Sequence, residues 1–346
     1  MKAYVLRGID KLDYTDVPRP VPGPGQVLVS VKAAGICGSD IPRIFVNGTY
    51  HFPTIPGHEF SGIVECAGDR DSEKLIEKRV GVFPLIPCMK CPACLNRQYE
   101  MCMNYNYLGS RCDGGFAEYV AVPSRNVIEI PDEVSFEEAA MLEPSSVGIH
   151  ALGRVDMKDV KTAAVFGPGT IGLLIAQWLR ILGIRDIFIA GKNNGQRRMA
   201  ATLGFDSFFT ENAVDSILEY TDGIGADLTI DCTGYDSVLE ECIMSARRGG
   251  NVLIVGNPHS DVSLEKNIYW QILRRQLKVC GTWNSSFIPD DSDDDWRKTI
   301  RAVKAGELRP AAQITHRLPF DRLKDGLEIM RNKTEYYNKI MVVEKA

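Results

Sequence analysis

Residues 163–191, AAVFGPGTIGLLIAQWLRILGIRDIFIAG, constrain the fold of this chain more than any other stretch. The apolar run Ala163–Phe166 has the composition of a buried strand. Gly167-x-Gly169-x-x-Gly172 follows at once, and Ile171, Leu174, Ile175, Trp178, Leu179 and Leu182 recur at helical spacing. The first glycine permits the turn, the second lets a pyrophosphate approach the backbone at Thr170 and Ile171, and the third lets helix pack on strand. The helix N-terminus then faces the anion. Further strands at Ile187–Ala190, Asp227–Asp231 and Asn251–Val255, separated by helical stretches, extend the alternation into an α/β doubly wound parallel sheet. The nucleotide-binding domain is expected over residues 149–286. Thr233 and Gly256, just past the later strands, are its further cofactor-binding candidates.

In the dinucleotide pattern the second strand ends, about 20 positions past the glycines, at an acid that reads the ribose hydroxyls. Here that place holds Gly191, followed by Lys192, Asn193 and Asn194, with Arg197 and Arg198 one turn further on. Without the acid nothing repels a 2′-phosphate, and Lys192 with Arg197 supplies cations for one. NADP is the expected cofactor. NAD is the alternative, if these cations form only a solvated helix face.

Cys88, Cys91, Cys94 and Cys102 follow the spacing C-x2-C-x2-C-x7-C. Four thiolates on tight turns fill the tetrahedral sphere of one zinc ion and leave no position for a water or substrate, so this lobe is expected to be structural. Pro87 and Pro92 point to an irregular loop. A second, looser set consists of Cys37 and the pair His58–Glu59, each flanked by glycines and turn residues. A 21-residue gap is too long for a local knuckle, so a metal shared by these residues must be assembled by the fold. The alternative is a small buried thiol and an ordinary turn. Glu143, beside Pro144, could close the set or be a solvated helix end.

A net charge of −5, with no local Lys/Arg patch, gives no field for nucleic acid. No run approaches the apolar length of a membrane span, and the N-terminus has no apolar leader segment, so a cytoplasmic protein is expected. In that reducing setting clustered cysteines read as metal ligands.

Taken in order, Cys37, GHE at 57–59, the four cysteines, Glu143 and GPGTIG resemble the zinc-dependent medium-chain alcohol and polyol dehydrogenases along essentially the whole chain. CGSDIPRIFVNG, GHEFSG and GSRCDGGFAEY most resemble the branch acting on galactitol 1-phosphate, sorbitol and threonine. The resemblance implies a GroES-like β-rich catalytic domain formed by residues 1–148 and 287–346, with the structural zinc lobe at about 84–105. The active site would lie in the cleft beside the Rossmann domain.

It further implies a catalytic zinc on Cys37, His58 and Glu59, with Glu143 as a neighbouring or exchanging ligand. Two zincs per chain follow. Ser39 would hydrogen-bond the substrate oxygen at that metal. Gly191 is the departure from the family pattern. For a polyol phosphate, Arg43 and Arg111 are the candidate phosphate ligands, with Tyr50 and Asn284, along with Trp283 and Ser285, as further lining residues. The expected activity is hydride transfer between a polyol or polyol phosphate and the nicotinamide cofactor, in a homodimer or homotetramer. Alternatives are an L-threonine or simple secondary alcohol dehydrogenase, and a non-catalytic zinc-binding relative.

Overall fold

The structure is a computed structural model that describes residues 1–344. The chain divides into two compact units. One comprises Met1–Glu143, Ser286–Gly306 and the C-terminal segment from Gln313; the other comprises Pro144–Ser285 and Glu307–Ala312.

The first unit is built on a seven-stranded sheet. In spatial order its strands are Ile314–Pro319, Lys339–Val343, Gln26–Ile36, Glu59–Ala67, Arg79–Val82 and Val127–Glu129, with Tyr119–Pro123 also paired to Gln26–Ile36. The central strand, QVLVSVKAAGI, buries Val27, Val29 and Val31 on one face at period two. These pack with Tyr4, Ile44, Phe60 and Phe116 into one core. The last strand runs antiparallel to the central one, with Met341 opposite Gly35, and Gly35 stands in turn opposite Glu59. This register brings a C-terminal strand to within two strands of the GHE motif.

In the cysteine lobe the structure differs from the expected irregular loop. Pro92–Leu95 form a short helix with Cys91 at its N-cap. Proline is suited to the first helical position, where the missing N–H has no partner to lose. The acidic run at 290–295 caps the helix Asp295–Lys304, with Asp294 accepting the Arg297 amide at 2.8 Å.

The second unit carries the doubly wound sheet expected from the sequence. Six parallel strands lie in the order Phe208–Phe209, Asp186–Ala190, Thr162–Phe166, Ala226–Asp231, Ala246–Ile254 and Lys278–Gly281. Numbered along the chain this is 3-2-1-4-5-6, which places the strand-order switch beside the glycine turn. The helix Thr170–Ile181 is buried without a break from Gly172 to Leu179. Leu182, which the spacing puts on the same apolar face, falls at the helix C-cap and is exposed. Asp227 clamps the base of this sheet, accepting the Lys161 and Thr162 amides at 2.9 Å and pairing with Arg247. Among the described residues no helix is long and apolar enough to cross a membrane.

Candidate functional site

Within the first unit, one ligand atom each from Cys37, His58 and Glu59 lies within 4.8 Å of the others. Cys37 directly follows the central strand, ahead of the turn at Gly38 and Ser39, while His58 and Glu59 enter the adjacent strand. His58 and Glu59 are buried and Cys37 is half-buried. Ser39 Oγ donates to Cys37 Sγ at 3.3 Å.

A second row of residues holds this trio in place. Asp40, fully buried, accepts the Cys37 amide at 2.9 Å and Arg43 Nη1 at 3.1 Å, and its Oδ1 lies 3.4 Å from His58 Nδ1. Burial works to raise its carboxyl, but His58, Arg43 and the amide outweigh this and hold it below the ordinary value. With Nδ1 facing Asp40, Nε2 is the ring nitrogen left for a ligand. Lys339 Nζ pairs with Glu59 Oε2 and donates to the Ile36 carbonyl at 3.1 Å. Burial opposes its charge, but Glu59 and Cys37 raise it above the ordinary lysine value, so the ammonium is retained. Glu143 lies outside the three-residue cluster and accepts Tyr107 Oη at 3.2 Å. Burial pushes its carboxyl up to about 7. Tyr107 in turn packs on the His58 ring at 5.8 Å.

Glu59 Oε2 is buried without an aligned hydrogen bond, its contact to Lys339 being ionic, and His58 Nδ1 stands 3.4 Å from Asp40 Oδ1, which leaves Nε2 as the ligand atom. A buried set of one sulfur, one imidazole and one carboxylate with bonding capacity to spare fits a zinc ion.

The cysteine lobe meets a sharper test. Tetrahedral coordination at a Zn–S distance of about 2.3 Å places the sulfurs roughly 3.8 Å apart. Cys91 and Cys94 are 3.5 Å apart, Cys91 and Cys102 3.9 Å, and Cys88 and Cys94 4.0 Å. These separations far exceed a disulfide bond. The amides of Cys94 and Met103 lower the Cys91 thiol to about 6, whereas burial raises Cys94 to about 12. Four thiolates this close repel one another and need a cation to ionise together.

In the second unit the glycine turn forms the expected cradle. Gly167 has a positive φ of 89°, and a methyl there would overlap Thr233. Gly169 is the N-cap of the following helix, and nothing lies within 4 Å of where its Cβ would be, so the backbone is open to a ligand. Gly172 sits against the Gly167 carbonyl, and Gly256 against Thr233. Asp231 fixes Thr233 by accepting its amide and its hydroxyl, both at 2.7 Å. At the second strand end, a side chain on Gly191 would meet Phe208, Pro168 and Gln196. Packing, as well as the lack of charge, thus sets glycine at this position. Lys192 and Arg197 are exposed, with Lys192 Nζ 5.3 Å from the Tyr235 ring and the Arg197 guanidinium 5.2 Å from the Phe208 ring.

The substrate candidates separate. Arg43 is committed to Asp40, with a side chain only 22% exposed. The Arg111 guanidinium is held between the Tyr50 and Tyr105 rings at 4.2 Å from each, and donates to Tyr105 O and Tyr50 Oη. Tyr50 itself is exposed. Asn284, in the second unit, has φ of 55° and a buried Nδ2 without a hydrogen-bond partner. Trp283 is exposed and Ser285 buried.

Sequence reasoning missed Asp40, Tyr107, Lys339 and Asp231. Asp40 had a local signal, an acid three residues after Cys37 in CGSD. Lys339 had none, because only sheet register brings it to Glu59.

Residues 23–132 match the alcohol dehydrogenase GroES-like domain family, and residues 170–305 the zinc-binding dehydrogenase family. The chain is 31% identical to galactitol 1-phosphate 5-dehydrogenase of Escherichia coli over 313 residues, covering 89% of this chain and 90% of that one. It is 32% identical to sorbitol dehydrogenase of Bacillus subtilis over 337 residues, 95% of this chain and 93% of the other. Among solved structures, a protein of Sinorhizobium meliloti described as a zinc-binding dehydrogenase, bound to NADP, superposes with a TM-score of 0.88 at 29% identity, covering 99% of this chain and 98% of that one. RspB of Escherichia coli, complexed with NADH, gives 0.89 at 25% identity, with 99% of both chains covered.

Proposed function

This chain belongs to the zinc-binding, GroES-like alcohol dehydrogenase family, and from that membership we propose that it oxidises a secondary alcohol of a polyol or polyol phosphate. The reading is carried by the convergence of Cys37, His58 and Glu59, donors spread over 23 positions of sequence, on one buried point with Ser39 beside it.

These three residues hold the catalytic zinc. Zinc supplies a Lewis acid that makes an alcohol hydroxyl a stronger acid, and the dinucleotide supplies the hydride acceptor. Asp40 fixes the His58 ring and the Cys37 backbone, and so sets the direction of two ligands at once. Ser39 Oγ is a half-buried hydroxyl 3.3 Å from Cys37 Sγ, placed to receive the alcohol proton and pass it towards solvent. Glu143, with its carboxyl raised and Tyr107 on one oxygen, is a second acid at the same site and an exchanging ligand. Cys88, Cys91, Cys94 and Cys102 hold the structural zinc.

The glycine turn binds the pyrophosphate, with Thr170 and Ile171 at the helix start and Thr233 and Gly256 opposite. NADP is the preferred cofactor, since Lys192 and Arg197 keep free donors at the ribose end. The NADP complex of the Sinorhizobium relative supports this, and the NADH complex of RspB marks NAD as the alternative.

On the substrate side Arg43 is consumed by Asp40, so Arg111 is the arginine left to read a phosphate. The test is an oxidation panel of polyols, polyol phosphates and threonine with NAD and NADP, run beside zinc analysis. Two zincs per chain are expected, falling to one in Cys37→Ser with loss of turnover. Arg111→Ala should slow a phosphorylated substrate and leave an unphosphorylated polyol unaffected. One zinc per chain, insensitive to Cys37→Ser, would refute the assignment.

A further inference from the structure

His259 and Tyr235 take no part in the chemistry above, yet they stand beside a cation on which the cofactor assignment depends. Lys192 follows the strand Asp186–Ala190 and Tyr235 follows Ala226–Asp231, with Thr162–Phe166 and its glycine turn between them. Adjacent strands lie about 4.8 Å apart, so the 5.3 Å from Lys192 Nζ to the Tyr235 ring reaches across the strand-order switch, where the nucleoside half of a dinucleotide leaves the turn. The His259 ring stacks on the same tyrosine, with centroids 4.3 Å apart and 22° between the planes. Backbone builds this seat. A Cβ on Gly234 would overlap the Asn257 carbonyl, the His259 amide donates to the Gly234 carbonyl at 3.4 Å, and His259 Nε2 lies 3.1 Å from the Thr233 carbonyl. A carbonyl only accepts, so Nε2 carries the ring proton, and Nδ1, which has no partner among the described residues, is a lone pair until the ring is protonated.

We propose that His259 is a specificity-determining residue for the cofactor: its protonated ring donates from Nδ1 to the 2′-phosphate of NADP beside Lys192, so that the preference for NADP over NAD grows as pH falls. The inference rests on the placing of the 2′-phosphate at Lys192 given above. A neutral ring in this fixed tautomer offers the phosphate only a lone pair, whereas the protonated ring offers a donor and a charge, and imidazoles change state between about pH 5 and 8. The same lone pair suits the 2′-hydroxyl of NAD, which has a proton to give. The charged groups around the ring are Lys192 across Tyr235, Asp231 and Asp236 at the turn after Ala226–Asp231, and Asp261 in its own loop. Asp231 is engaged by the Thr233 amide and hydroxyl and the Gly234 amide, Asp236 accepts the Ser263 amide at 3.0 Å, and Glu241 acts on Lys192. Lys192 and a protonated His259 repel each other until an anion binds beside both, and this couples the proton to the phosphate.

The test is calorimetric titration of the zinc-loaded protein with NADP and with NAD, from about pH 5.5 to about pH 8.5, on wild type and His259→Gln. Binding is measured in place of turnover so that titration at the metal site does not enter. Glutamine keeps a donor for the Thr233 carbonyl but takes no proton. The 2′-phosphate itself gains a proton near pH ~6 and weakens in both proteins, so the readout is the ratio of the two dissociation constants at each pH. The variant should bind NADP about tenfold more weakly than wild type at the acid end and within about twofold at the alkaline end, the effect of one charge-assisted hydrogen bond at an exposed site. For NAD the ratio should not rise towards acid. Adenosine 2′,5′-bisphosphate should reproduce the NADP result and 5′-AMP the NAD result, which places the effect at the ribose. A ratio for NADP that stays flat with pH, or one that rises equally for NAD, overturns the proposal. A wild type whose NADP affinity is untouched by Lys192→Ala at every pH would instead remove the cofactor reading on which it rests.

Discussion

Replacing Lys192 or Arg197 by alanine probes the cofactor at the position where the chain leaves the dinucleotide pattern. Both side chains are exposed, and neither forms an ion pair among the described residues. Each lies near an aromatic ring, Lys192 at Tyr235 and Arg197 at Phe208, a contact that orients a cation without consuming its N–H donors. A charge-assisted hydrogen bond to a 2′-phosphate contributes about 1.5–3 kcal/mol. Exposure and salt screening favour the lower figure, so each cation should be worth about tenfold. The assay is kcat/KM for NADP and for NAD, at low and high salt, on wild type and both variants. NADP should lose about tenfold per cation, less at high salt, while NAD stays within about twofold. A wild type preferring NAD tenfold, or an equal loss with both cofactors, would refute the reasoning. Gly191→Asp is a poorer probe. Its carboxylate enters only by displacing Phe208, Pro168 or Gln196, and Gln196 Oε1 already accepts the Lys192 amide at 2.7 Å.

Cys91→Ser should lower the zinc content by one and sharply reduce the thermal midpoint, since structural zinc contributes folding energy directly; an unchanged midpoint with both metals retained would count against the lobe. Asp40→Asn should weaken metal at the Cys37 site by roughly 10–100-fold while the lobe keeps its zinc, because it releases the His58 ring and the Cys37 amide together; equal affinity in a chelator titration would show that Asp40 positions nothing. Asp227→Asn should cost about 2 kcal/mol of stability at neutral pH. Burial raises the Asp227 carboxyl, but Arg247 and the Lys161 and Thr162 amides hold it below its ordinary value, so its contribution is full above the unfolded pKa and is lost as pH falls through the folded one. The gap between wild type and variant in denaturant titrations should therefore be flat from pH 8 to about 5 and close below about 4; a gap that widens in acid would contradict the sign.

The parts of this protein legible in the sequence are those whose physics is local. Gly167, Gly169 and Gly172 lie within six residues, and the turn, the close approach and the helix packing that they permit are decided by backbone freedom at each. The four cysteines from 88 to 102 likewise carry their geometry in their spacing, and the period-two and helical patterns identify the parallel sheet. Tertiary structure alone decided what register and long loops bring together. Asp40 behind His58, Tyr107 on Glu143, and Lys339 across Gly35 from Glu59 join segments up to 304 positions apart, and no periodicity records which strand will pair with which. The same holds for the arginines. Sequence offers Arg43 and Arg111 as equal phosphate ligands; the partner of Arg43, Asp40, stands only three residues before it, but the complete burial of that carboxylate, which commits the arginine to it, is decided by the fold.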